Sequence, residues 1–65
     1  MFFDIGDLVE VSQAKKQGLA CSVGIVIDAL DMPDGYTKYE VLIDNQFIWF
    51  DDFQISEIMK NIESR

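Results

Sequence analysis

The chain has 65 residues, 49% of them hydrophobic and 26% charged, which fits one small globular domain and excludes a disordered tail or a two-domain enzyme with a cleft between lobes. Five Lys/Arg stand against twelve Asp/Glu, a formal charge of −7, and that balance opposes general binding to phosphate backbones. With no histidine and a single cysteine, Cys21, most metal sites and any internal disulfide are excluded, and the lone thiol suits a reducing compartment.

The opening Met1-Phe2-Phe3-Asp4 lacks a basic segment and meets Asp4 and Asp7 at once, so no secretory signal is expected. No apolar run approaches the roughly 18 residues of a membrane span. Gly6-Asp7 reads as a turn, and Asp7–Val11 as a strand with Val9 and Val11 on one face and Glu10 on the other. Residues 12–21, with Lys15, Lys16 and Gly18, read as a polar loop. Ser22–Leu30 is rich in β-branched residues (Val23, Ile25, Val26, Ile27) and predicts a second strand. Gly24 inside it predicts a bulge or a sharp bend.

Met32-Pro33-Asp34-Gly35 predicts a turn, because proline presets φ and glycine accepts the left-handed conformation. Tyr39, Val41 and Ile43 then alternate with Glu40, Leu42 and Asp44, a third strand. Asp44-Asn45-Gln46 can close a tight hairpin, since Asp and Asn tolerate positive φ. The returning Phe47-Ile48-Trp49-Phe50 is apolar on both faces. One face enters the core; the other is covered by the termini or left exposed. Ile55, Ile58, Met59 and Ile62 have helical spacing, with Asp51 or Asp52 as a cap. The favoured alternative is a helical turn at 51–53 and a short closing strand over 54–58, followed by a frayed or helical tail.

The order of these elements resembles an SH3-like barrel, and Val23-Gly24-Ile25-Val26 resembles the Gly-x-Val core of its KOW-type variant. The whole arrangement (Gly6-Asp7-Leu8-Val9, Gly24-Ile25-Val26, Tyr39-Glu40-Val41-Leu42-Ile43, Trp49-Phe50, Ile55 and Ile58) is similar to small, mostly uncharacterised proteins encoded by tailed bacteriophages. The resemblance implies an all-β fold: one domain over 1–65, a small five-stranded SH3-like barrel with its core at 3–58 and a short C-terminal helical turn or tail at 59–65. KOW-type modules bind RNA or polymerase, usually with a basic loop. Here that role would fall to Lys15 and Lys16, and two charges release too few counterions for more than weak affinity. Nucleic acid is therefore the alternative partner, together with mimicry of nucleic acid by spaced carboxylates.

Catalytic groups are sparse. Ser12, Ser22, Ser56 and Ser64 have no histidine to activate them, and Cys21 has no basic neighbour nearer in sequence than Lys16. Cys21 reads as a small, partly buried residue at the start of a strand. The adjacent Asp51-Asp52 reads as a cap or a solvated turn rather than an acid/base pair. Asp28, Asp31 and Asp34 lack the spacing of a calcium loop. No enzyme, cofactor or metal is expected.

The aromatics point elsewhere. Of Tyr36, Tyr39, Trp49, Phe50 and Phe53 several must fill the core. Yet Phe47-Ile48-Trp49-Phe50 has more apolar area than one inward face can bury, and Phe2-Phe3 add to it, while the stretch from Asp28 to Asp52 carries seven acids against the one base Lys38. Tyr36, Trp49 and Phe53, beside Asp51 and Asp52, are the candidate partner-binding residues. The expected function is a non-catalytic protein-interaction module, phage-encoded, docking on a host protein or between virion subunits, in the host cytoplasm or the virion. An open edge strand could also pair with a copy of itself.

Overall fold

The computed structural model describes residues 3–58. Five strands, β1 (Leu8–Val11), β2 (Val23–Asp31), β3 (Thr37–Ile43), β4 (Gln46–Asp51) and β5 (Ile55–Glu57), form one antiparallel sheet in the order β4-β3-β2-β1-β5. The all-β expectation is met. β4 and β5 are the edges of the sheet and do not pair with each other, so the sheet is not closed by hydrogen bonds. Besides the strands, the described residues hold two short 3₁₀ turns, Lys15–Gln17 and Asp52–Gln54.

Alternation decides which side chains go inside. Val9 and Val11 from β1, Val26 from β2, Tyr39, Val41 and Ile43 from β3, Phe50 from β4 and Ile55 from β5 are all buried. Cross-strand pairs such as Val26–Val41 and Tyr39–Phe50 put them on one face. No helical layer covers that face among the described residues, and segments outside the strands pack on it instead. Phe3 supplies an edge-on contact to Tyr39, with ring centroids 5.1 Å apart. Two residues of the loop between β1 and β2, Ala14 and Leu19, complete the cluster. That loop is thus part of the core, and not only the polar connection its composition suggests.

The one irregularity in the described ladders falls in β2, the longest strand. Its register against β3 shifts between Val26 and Asp28, leaving Ile27 as an extra residue. The bulge expected at Gly24 therefore lies three residues further on. Gly24 is needed for another reason: a Cβ there would stand 2.6 Å from the Leu42 carbonyl oxygen and 2.8 Å from the Ile43 Cβ. Close approach of β3 to β2, not a kink, requires glycine.

The connections follow their residue chemistry. Asp44 and Asn45 have φ of 52° and 62°, the pair of left-handed residues that a two-residue hairpin between Ile43 and Gln46 demands. In the turn at 32–35, the Gly35 N–H donates to the Met32 carbonyl at 3.0 Å, and the Met32 N–H donates to the Tyr36 carbonyl at 2.7 Å. After β4 the turn-then-strand reading holds: 52–54 makes one 3₁₀ turn, and β5 follows. The Gln54 Oε1 accepts the Asp51 N–H at 2.8 Å, which holds the turn shut. Helical spacing loses at Ile55 because pairing with Val11 draws it into the sheet. The helical turn or tail expected at 59–65 lies outside the described residues.

Candidate recognition face

The outer face of the sheet departs from the usual pattern. An antiparallel sheet packed on one side normally turns polar residues to water on the other. Here the register places Leu8 opposite Ile25, Ile25 opposite Leu42, and Leu42 opposite Phe47. All four are exposed, Phe47 most of all at 64%. They form an unbroken apolar row across four strands, from β1 to the β4 edge. Val23 and Trp49 flank it on the same face and are exposed as well.

The neighbouring row has the opposite character. Asp28 pairs with Glu40, and Glu40 with Trp49, so two carboxylates stand directly across from each other beside an exposed indole. Like charges in that relation destabilise a sheet. One row further on, Leu30 faces Lys38, and Lys38 faces Asp51. The Lys38 Nζ lies 2.6 Å from the Asp51 Oδ1. The face is an apolar band bordered on one side by acids that find few cations in their own chain.

The candidates from sequence distribute unevenly over this arrangement. Trp49 belongs to the outer face. Tyr36, in the turn after β2, and Phe53, in the second 3₁₀ turn, are both exposed, Phe53 at 73%, but neither is in the ladder of outer-face rows. Asp51 already holds Lys38 and anchors the turn through Gln54. Asp52 opens that turn and is half-buried. Lys15 and Lys16 lie in the first 3₁₀ turn, exposed and away from the strands. Cys21 is exposed in the loop before β2, not partly buried in a strand as expected, because β2 begins only at Val23. Its Sγ lies 3.8 Å from the Val23 carbonyl oxygen.

Leu8, Ile25 and Leu42 were not among the sequence candidates. Each has a core valine as its immediate neighbour (Val9, Val26 and Val41), so each pair has one member pointing out. That signal was present. What it lacked was register, since only pairing shows that the three outward members and Phe47 fall in line.

Among the described residues no group of three or more Cys, Asp or Glu side chains is placed to hold a metal ion, and no helix is long and apolar enough to cross a membrane. Searches found no matching family model, no matching curated protein and no matching solved structure.

Proposed function

We propose that this chain is a non-catalytic interaction module that binds another protein through the outer face of its sheet. The observation that carries the reading is the row Leu8–Ile25–Leu42–Phe47, exposed across four strands of the sheet. Contiguous apolar surface of this kind, rimmed by polar groups, marks contact sites in small soluble domains. The apolar band supplies area, Trp49 and Phe47 supply rigid aromatic anchors, and the opposed Asp28 and Glu40, with the further acids Asp44, Asp51 and Asp52 at the two ends of β4, favour a partner of positive potential.

The strand order, the long bulged β2 and the 3₁₀ turn before β5 support reading the sheet as a small SH3-like barrel. On that reading the protein is a phage-encoded accessory that docks on a host protein or joins virion subunits. Its scaffold presents a surface and performs no chemistry.

Photo-crosslinking tests this. A benzophenone amino acid at Phe47 is expected to give a discrete adduct with a protein in the native cell or particle. The same group at Lys16, in the loop off the outer face, is expected to give none. Adducts from Lys16 alone, or none from Phe47, would overturn the proposal.

A further inference from the structure

The free edge of β4 runs along the end of the apolar row. Counting from the hydrogen-bonded closing pair Ile43–Gln46, the alternation of an antiparallel ladder turns the N–H and C=O groups of Phe47, Trp49 and Asp51 away from β3. Asp51 satisfies its N–H with the Gln54 side chain. Phe47 and Trp49 have no such partner among the described residues, and no strand pairs on that side. The segment Gln46–Phe50 also lacks the devices that usually blunt an edge: it has no lysine, no proline and no bulge.

We infer that the edge of β4 receives an extended segment of the partner as a sixth strand, and that this segment alternates basic and apolar side chains. The inference rests on the protein-binding reading above and specifies its mode. Main-chain bonds to Phe47 and Trp49 would supply pairing, and alternate side chains would supply selectivity. On the inner side, the added residues meet half-buried Ile48, which suits apolar groups. On the outer side they meet Phe47, Trp49 and Asp51. A lysine or arginine there lays its aliphatic stem on Phe47 or its charge over the Trp49 ring, within the field of the opposed Asp28–Glu40 pair.

Charge selects this occupant over a second copy of the chain. Self-pairing along β4 would join two molecules of formal charge −7, and it would bring the acids at the two ends of β4, Asp44 and Asp51-Asp52, toward those of the other copy. A basic strand relieves the repulsion that a second copy adds to.

The test uses a synthetic peptide of about eight residues alternating valine and lysine, long enough to span β4, and a control of the same composition with the two residue types in blocks. Binding of the alternating peptide is expected to slow hydrogen exchange of the Phe47 and Trp49 amides. Affinity is expected to fall about tenfold in a chemically synthesised chain N-methylated at Trp49, whose side chains are unchanged. Equal binding by both peptides, or binding that leaves those amides fast, would overturn the inference. So would the absence of binding at millimolar peptide. Protection of the same amides in the chain alone, with a dimer in sedimentation, would assign the edge to self-pairing. Protection that vanishes in a chain ending at Ile58 would assign it to residues 59–65. Either result overturns the basic-strand occupant. The crosslinking at Phe47 stands apart: an adduct there with a failed peptide keeps protein binding and removes strand addition.

Discussion

Gly24 carries the tightest steric requirement of the four glycines. Its missing Cβ would overlap a backbone carbonyl and two core side chains, and a carbonyl held in a ladder cannot swing aside. Gly24→Ala is therefore expected to destabilise the fold by about 2 kcal/mol or more, read as a lowered urea midpoint; an unchanged midpoint would show that β3 can give way. Asn45 sits at φ 62° in the two-residue hairpin. Asn45→Gly is expected to hold or raise the melting temperature, whereas Asn45→Val should lower stability by about 1–2 kcal/mol because a β-branched residue resists that conformation. Equal melting temperatures for the two variants would contradict the turn assignment. Both positions were visible in sequence as special residues. For Asn45 the reason was also correct. For Gly24 it was not, because whether a strand glycine serves a bend or a close approach depends on the neighbouring strand.

At the scale of elements, β3 offers a direct comparison of the two faces. Val41 is wholly buried, while its neighbour Leu42 faces out. Val41→Thr puts a hydroxyl into an apolar core and is expected to cost about 1–3 kcal/mol. Leu42→Thr keeps a good strand former on the surface and is expected to stay within about 0.5 kcal/mol of the parent. Chemical denaturation of the two variants measures both, and a larger loss from Leu42→Thr would mean that the outer face is covered in the free protein.

Strand positions, both tight turns and the switch from turn to strand after Phe50 were legible because each has a local cause: period-two alternation, Asp-Asn at positive φ, and Asp51 with Gln54 three residues on. The bulge at Ile27 and the burial of Ala14 and Leu19 were not. Both follow from how β2 pairs with β3 and where the loop lands, which no local pattern encodes. The same holds for the outer row, since Leu8, Ile25, Leu42 and Phe47 are distant in sequence and meet only through three registers.

For the molecule as a whole, the proposed reading has fold and recognition share one sheet and use opposite faces of it. A domain this small has a modest margin of stability, yet it leaves bulky residues exposed that a purely structural role would not require. The inner face accounts for folding, and the outer face is unexplained by it. Trp49 is the only tryptophan in the chain and lies on that outer face, so it reports the state of the surface directly. In fluorine NMR of the chain carrying fluorotryptophan, the pure protein is expected to show one resonance with the solvent isotope shift of a partly exposed ring. Adding the contents of the native cell or particle is expected to produce a second resonance that has lost that shift, and Phe47→Thr should abolish it. A fluorotryptophan line unchanged by that addition, or a second line indifferent to Phe47→Thr, would contradict recognition through this face.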